Sequence, residues 1–211
     1  MNQRVWALGA AAWVFVLGSQ FLVRTDAAAA QATPPEYEAL RKELLAMREA
    51  DQRFRDAAPA SINPTGAELA LIKQQDAIDR ANMARLEEIV KQYGWPGMNQ
   101  VGESASSAAF LILQHAGVDA QRRYLPVFKA AVAQGNARAD QAAMLEDRIL
   151  LREGKRQLYG TQVRSGPDTG GKLVLHPIED ERNVDERRAA VGLQPLAEYL
   201  KEFGITYVAP K

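Results

Sequence analysis

The sequence predicts a mainly α-helical fold: a single compact helical domain with a small C-terminal β-hairpin, preceded by a signal peptide. Three observations predict it. Apolar residues recur at three- and four-residue steps over most of the chain, an N-terminal apolar run ends in an Ala-x-Ala site, and a Gly-rich turn separates two short β-like segments near residues 156–175. The length of 211 residues suits one domain with its own core.

Residues 1–32 are typical of a secretory signal peptide. Arg4 precedes an uncharged apolar run from Val5 to Val23, and Ala30-Gln31-Ala32 offers a cleavage site. The alternative is an uncleaved membrane anchor, because the run is about as long as the roughly 20 residues that span a bilayer. On either interpretation the domain over residues 33–211 is exported, so we expect a periplasmic or secreted protein. We expect it to meet a membrane only if the N-terminal segment stays uncleaved.

Composition excludes several classes of function. The 26 basic and 26 acidic residues balance, which argues against binding to nucleic acid. Without Cys the chain has no disulfide, no Cys-ligated metal and no Cys nucleophile, and two His make a multi-His metal site unexpected. No phosphate loop or dinucleotide fingerprint is present. We therefore expect no metal or cofactor; a small molecule or peptide remains as a candidate ligand, and the oligomeric state stays open.

The first half of the domain is predicted as two long helices. Residues 34–55 form the first, residues 57–64 a Pro-containing loop, and residues 65–93 the second, which Thr65 and Glu68 begin as a capping box. The segment Gly94-Trp95-Pro96-Gly97 ends it. Trp95 is interpreted as a core side chain at a helix terminus, with ligand contact as the alternative.

Three further helices are predicted in the middle of the chain. Residues 104–116 are apolar all round, which indicates a buried central helix that carries a polar pair, Gln114 and His115, at its end. Residues 119–134 and 137–153 form the next two helices. Gly154 ends the last of them in the manner of a helix C-cap.

The C-terminal part is predicted to contain short elements. Arg156 to Val163 and Lys172 to Leu175 are predicted strands of the hairpin. Short helices over residues 183–190 and 196–203 follow, and residues 205–208 are predicted as a terminal strand.

Five motifs in this order resemble a bacterial family of unknown function, DUF6624. They are Gly94-Trp95-Pro96, Gln114-His115-Ala116, Glu146-Asp147-Arg148, Gln157-x-Tyr159-Gly160-Thr161-Gln162 and Pro177-Ile178-Glu179-Asp180-x-x-Asn183-Val184-Asp185-x-Arg187-Arg188. The resemblance covers roughly residues 76–200, and Asp79 and Asn82 also match family positions. It implies a mostly helical domain, often behind a signal peptide, and supplies no established reaction.

The motifs also supply a candidate site. His115 is a candidate general acid or base, because imidazole titrates near neutral pH, and Asp147 would orient it through one ring nitrogen. Tyr159 and Arg148 complete the candidate catalytic set; each of these residues also has a purely structural interpretation. On a strand, Gln157, Tyr159 and Thr161 would share one face. The candidate ligand-binding residues are Gln114, Gln157, Thr161, Gln162 and Trp95.

Two hypotheses about function follow. The preferred one is a non-catalytic binding or envelope-associated module, in which these residues form a buried polar cluster. The alternative is an acid/base enzyme, a hydrolase or lyase that uses His115 and Asp147 on a peptide- or cell-wall-type substrate. In both, we expect Gln114, His115, Asp147, Arg148, Gln157, Tyr159 and Gln162 to converge, since buried polar groups need hydrogen-bond partners. Whether His115 lines an open pocket separates the two hypotheses.

Overall fold

A computed structural model describes residues 34–55 and 65–210. The helices are α1 (Pro35–Arg55), α2 (Gly66–Tyr93), α3 (Met98–Val101), α4 (Glu103–His115), α5 (Val118–Ala133), α6 (Ala139–Arg152), α7 (Val184–Ala190) and α8 (Leu196–Lys201). The prediction of a mainly α-helical fold is confirmed. The predicted signal peptide and the loop over residues 57–64 lie outside the described residues. Within the described ranges, no helix is long and apolar enough to cross a membrane.

The ends of α2 form as local sequence chemistry predicts. The Thr65 hydroxyl accepts a hydrogen bond from the Glu68 backbone N–H at 3.3 Å, and the Glu68 carboxylate accepts one from the Thr65 N–H. These two bonds satisfy N–H groups that have no partner within the helix. Gly94 ends α2 with a φ of 74°, a conformation that glycine adopts without a Cβ clash. The predicted capping box is confirmed.

The central helix α4 packs against α1, α2, α3 and α5. Its buried side chains include Ala105, Ala108 and Ala109, whose small size lets neighbouring helices approach closely. Phe110 stacks on Phe128 of α5 with ring centroids 5.4 Å apart. Burying each large apolar side chain contributes about 1.5–3 kcal/mol, so the apolar character of α4 explains why it occupies the core.

The C-terminal part has a second, smaller core built on Ile178, Val184, Leu196 and Leu200. Strands β1 (Val163–Arg164) and β2 (Val174–Leu175) form the antiparallel hairpin, shorter than predicted. Residues 157–162 are not a strand but an irregular loop, in which only Gln157 forms an isolated bridge, with Ile178. The predicted strand over residues 205–208 is also wrong, because no partner strand lies beside it among the described residues.

Candidate functional site

The side chains that the sequence predicts in one cluster do not share one hydrogen-bond network. His115 bonds to Asp51 of α1, and no hydrogen bond joins it to Asp147 or to residues 157–162. Asp147 instead bonds to the loop over residues 157–162. The expectation that Asp147 orients His115 is wrong, because α1 supplies a nearer carboxylate.

The Asp51–His115 pair has the geometry of an oriented imidazole. Nδ1 of His115 lies 2.9 Å from Oδ1 and 3.0 Å from Oδ2 of Asp51. The Asp51 side chain is 1% exposed, whereas that of His115 is 15% exposed. Since an ionised carboxylate only accepts hydrogen bonds, Nδ1 carries the proton. In the neutral imidazole, Nε2 then keeps its lone pair, as a general base requires.

Further polar side chains extend the pair across α1 and α2. The Arg55 guanidinium bonds to Asp51 at 3.3 Å and to Asp79 of α2 at 2.6 Å. Gln75 donates to the same Asp79 oxygen at 2.7 Å, and Gln52 donates to Asp51 at 2.6 Å. This network fixes the Asp51 carboxylate, and through it the imidazole ring.

Sequence reasoning missed Asp51, although the chain carries a signal for it. Asp51 follows Leu40, Leu44 and Met47 at helical steps of four and three residues, so it lies on the buried stripe of α1. A carboxylate on such a stripe must find partners, because an unpaired buried charge is costly. Helical spacing alone thus marks Asp51 as an unusual position.

An open pocket adjoins the imidazole. It has a volume of about 400 Å³ and lies between α2 and the end of α4. Its lining residues are Asp76, Asp79, Arg80, Met83, Ala84, Glu87, His115, Ala116 and Gly117. His115 Nε2 has no hydrogen-bond partner among the described residues, so it is available to a group that enters the pocket.

Hydrogen bonding tunes Asp51. Burial by itself would raise the pKa of the Asp51 carboxyl, but hydrogen bonds from His115, Arg55 and Gln52 and the His115 charge outweigh burial and lower it. A carboxyl whose pKa is lower in the folded state stabilises the fold above its unfolded pKa, which is about 4. That contribution disappears as the pH falls through the folded-state pKa.

We therefore expect the melting temperature of Asp51→Asn to depend less on pH in the acid range than that of the wild type. Between about pH 5 and pH 2, the melting temperature of the wild type should fall more steeply than that of Asp51→Asn. The measurement is thermal unfolding by circular dichroism at several pH values. Asp119→Asn is the control, since the Asp119 side chain is 87% exposed and should leave the slope unchanged. Parallel profiles for wild type and Asp51→Asn would contradict the role given to these hydrogen bonds.

Asp147 has a structural task in a second network. Its side chain is fully buried. It accepts hydrogen bonds from the backbone N–H groups of Leu158 at 2.6 Å, Tyr159 at 3.0 Å and Thr161 at 3.0 Å, and from the Thr161 hydroxyl at 2.9 Å. The carboxylate replaces the strand ladder that these residues lack. We call residues 157–162 the Asp147 loop.

Two arginines of α7 hold the same loop from its carbonyl side. Arg187 Nε donates to the Leu158 carbonyl at 3.0 Å, and Arg188 Nη1 donates to the Tyr159 carbonyl at 2.6 Å. Arg188 is fully buried and lies over the Tyr199 ring, 4.9 Å from its centroid. Burial lowers the pKa of Arg188, and the charges of Tyr199, Asp185 and Asp147 oppose that shift. The motif arginines therefore position backbone rather than clamp a ligand.

The glutamines of the Asp147 loop close it on itself. The Gln157 side chain is fully buried, donates to the Gln162 and His176 carbonyls and accepts from the Gln162 N–H at 2.9 Å. The Gln162 side chain donates to Thr161 at 3.0 Å. Gln157, Thr161 and Gln162 thus bond to the loop and its flanks, not to His115.

The remaining candidate residues have separate surroundings. The Gln114 carbonyl accepts from Gln121 at 2.7 Å. Burial raises the pKa of the half-buried Tyr159 phenol, and the charges of Glu146 and Asp147 add to the shift. Trp95 is 7% exposed and packs on Phe128 with centroids 4.6 Å apart, which is a core position. Trp95 is also among the residues that line a pocket of about 360 Å³.

The described residues contain no group of three or more His, Asp or Glu side chains that could hold a metal ion. The Asp51–His115 pair can hold and transfer a proton at His115 Nε2.

Comparison with known proteins gives one family. A family model described as "Family of unknown function (DUF6624)" matches residues 38–209. The match includes Asp51, Asp79, His115 and Arg148, and so spans the whole candidate site. No curated protein and no solved structure matches significantly.

Proposed function

This chain belongs to DUF6624, a family of unknown function, and from its site we propose that it is an acid/base enzyme in which His115 is the catalytic group. The observation that carries the proposal is the buried Asp51 carboxylate on Nδ1 of an imidazole that lines an open pocket. A carboxylate in this position fixes the ring tautomer and stabilises the imidazolium that forms during proton transfer.

The pocket lining narrows the reaction type. Among the described residues, the lining offers the Asp76, Asp79 and Glu87 carboxylates and the His115 imidazole, but no hydroxyl, thiol or amine side chain. In the proposed reaction, His115 Nε2 activates a water molecule or removes a proton from the substrate, and the imidazolium returns that proton to the leaving group. Hydrolysis by an activated water and elimination are the reactions that this arrangement supports.

The location is part of the proposal. The N-terminal 32 residues support export, so the substrate would be met outside the cytoplasm as a peptide- or cell-wall-type molecule. This substrate class rests on the location alone. Asp51 takes the orienting role first considered for Asp147.

We expect His115→Gln to abolish turnover while leaving the fold stable. Removing a general base typically lowers the rate about 100-fold or more. The loss of stability should be about 1 kcal/mol, because Asp51 keeps its bonds from Gln52 and Arg55. The assay compares hydrolysis of chromogenic esters, amides, phosphate esters and glycosides, and of peptidoglycan fragments, with thermal unfolding of the same samples.

The chain provides a matched control. His176, its other histidine, lies on the hairpin side and does not line the pocket, so His176→Gln should keep wild-type rates. Asp51→Asn should lower the rate, and mainly kcat rather than KM, since Asp51 acts through the ring. Equal rates in wild type and His115→Gln, or no turnover of any substrate class, would overturn the proposal in favour of a non-catalytic binding module.

A further inference from the structure

The turn that follows His115 joins α4 to α5 through only two residues, Ala116 and Gly117. Both residues line the same pocket as the imidazole. The conformation of this turn therefore sets the position of the His115 backbone and the shape of the adjoining pocket wall. A group that fixes the turn also acts on the candidate catalytic group.

Helix α4 leaves carbonyl groups at its C-terminal end without partners inside the helix. In an α-helix the last four carbonyls lack an intrahelical N–H donor, and in α4 these belong to residues 112–115. The Ala116 N–H bonds to the Ile112 and Leu113 carbonyls at 3.1 and 3.2 Å. The Gln114 carbonyl must find its donor elsewhere in the fold.

Gln121 of α5 supplies that donor. Its side-chain Nε2 donates to the Gln114 carbonyl at 2.7 Å and to the Ala116 carbonyl at 3.0 Å. Its backbone N–H donates to the Gly117 carbonyl at 3.1 Å. One residue thus bonds to the carbonyls immediately before and after His115, and also to the next carbonyl along the turn.

The side chain of Gln121 is held in one orientation. Because both of its partners are carbonyl oxygens, the amide nitrogen must face them. Gln121 is 2% exposed, and its Oε1 is buried without a hydrogen-bond partner among the described residues. A buried acceptor without a partner costs free energy, so the bonds to the turn, rather than any bond to Oε1, set this orientation.

The turn bears on the imidazole through the contact with Asp51. Nδ1 of His115 lies 2.9 and 3.0 Å from the two Asp51 oxygens, so a shift of the His115 backbone by about 1 Å would break this hydrogen bond. Asp51 is held on α1 by Gln52 and Arg55, so it does not follow such a shift. The position of the ring therefore depends on two anchors, Asp51 for the side chain and Gln121 for the backbone.

We propose that Gln121 is a positioning residue for His115. By bonding to the end of α4, it keeps the imidazole at hydrogen-bonding distance from Asp51 at the edge of the pocket. Gln121 itself does not line the pocket, so it acts through His115 and not on the substrate. The consequence for catalysis rests on the proposed function, whereas the consequence for the ring does not.

The first test observes the imidazole directly and needs no substrate. The full chain, isotopically labelled on nitrogen and without a His-tag, is studied by NMR at a pH where the imidazole is neutral. The Nδ1 and Nε2 signals of His115 should be well separated in the wild type, because Asp51 keeps the proton on Nδ1. In Gln121→Met they should move towards the average of the two tautomers, since a displaced ring populates both. The His176 signals should stay the same.

Gln121→Met is expected to fold. Met has a similar length and adapts to its surroundings, and the change removes the unpaired Oε1 together with the two donors, so the cost of the lost bonds is partly offset. Gln121→Asn is a second variant that keeps the amide but shortens the side chain, and it should change the His115 signals in the same direction. Gln134→Met is the matched control, the same substitution at an exposed position at the end of α5, and it should leave those signals unchanged.

The second test is kinetic and uses whichever chromogenic ester, amide, phosphate ester, glycoside or peptidoglycan fragment the wild type turns over. Gln121→Met should lower kcat about tenfold, because a misplaced base loses rate even when the substrate still binds. KM should change much less, since Gln121 does not line the pocket. Gly160→Ala is the control for lost stability: its added Cβ meets Leu196 and Ile178 in the C-terminal core, and below its melting temperature it should keep the wild-type kcat.

The outcomes separate this inference from the proposed function. If Gln121→Met and Gln121→Asn keep the wild-type His115 signals and only their melting temperature falls, Gln121 is a structural helix cap and the inference is overturned. If both variants change the His115 signals but no sample turns over any substrate, the positioning role stands and the enzyme proposal fails. Turnover that depends on His115 but not on Gln121 would support the enzyme and overturn the positioning role.

Discussion

Asp147→Asn should destabilise the fold by about 3–5 kcal/mol, the typical effect of removing one member of a buried charged network. Both carboxylate oxygens accept bonds from N–H groups, Oδ1 from Leu158 and Oδ2 from Thr161. An asparagine must turn its NH₂ group towards one of these donors, which leaves that donor unsatisfied. Removing the negative charge also takes away support for the buried cation of Arg188.

The measurement is equilibrium urea unfolding, supported by a melting temperature that should fall by roughly 6–20 °C for a domain of this size. Glu146→Gln is the control on the neighbouring position of α6. Its carboxylate pairs with Lys129 near the surface, so the change should cost at most about 1 kcal/mol. An Asp147→Asn variant as stable as Glu146→Gln would show that the carboxylate does not hold the Asp147 loop.

Gly160→Ala should destabilise the fold by about 2–5 kcal/mol for two separable reasons. Gly160 has a φ of 70°, a left-handed conformation that costs a residue with a Cβ roughly 1–2 kcal/mol. An added Cβ would also lie 2.8 Å from Leu196 Cδ1 and 2.9 Å from Ile178 Cδ1, inside the C-terminal core. Forcing a methyl group into such a packed site costs about 1–3 kcal/mol more.

Gly154→Ala isolates the backbone contribution. Gly154 has nearly the same φ, 72°, but an added Cβ meets no atom within 4 Å. Its destabilisation should therefore be that of the backbone alone, about 1–2 kcal/mol. The difference between the two variants in urea unfolding measures the packing of Gly160 against Leu196 and Ile178. If both variants lose the same free energy of unfolding, the Asp147 loop can move away from the C-terminal core at no cost in free energy.

The Asp147 loop marks one limit of prediction from sequence. Alternation of side chains along residues 157–162 predicts a strand, but a strand needs a neighbour whose backbone groups match its own. Here Asp147, ten residues before Gln157, offers stronger acceptors for the N–H groups, and Arg187 and Arg188 satisfy the carbonyls. The sequence shows the residues of the motif, but it does not show which donor forms a hydrogen bond with which acceptor.

Asp51 marks the other limit. The periodicity of α1 puts it among buried apolar residues, and α2 likewise carries Gln75, Asp79 and Asn82 at steps of four and three. These polar residues on apolar stripes point to an internal polar site. Nothing local states that Asp51 meets His115, which stands 64 residues further along the chain.

The sequence by itself determined the helices other than the four-residue α3, the capping box that begins α2, the buried character of α4 and the position of His115 at its end. Each follows from interactions within a few residues, which spacing and residue type record directly. Only the tertiary structure decided that His115 pairs with Asp51 and that Asp147 bonds to the loop over residues 157–162. Those pairings depend on how α1, α2, α4 and α6 pack. Several carboxylates along the chain could accept a hydrogen bond from His115, and the packing of the helices brings Asp51 closest to it.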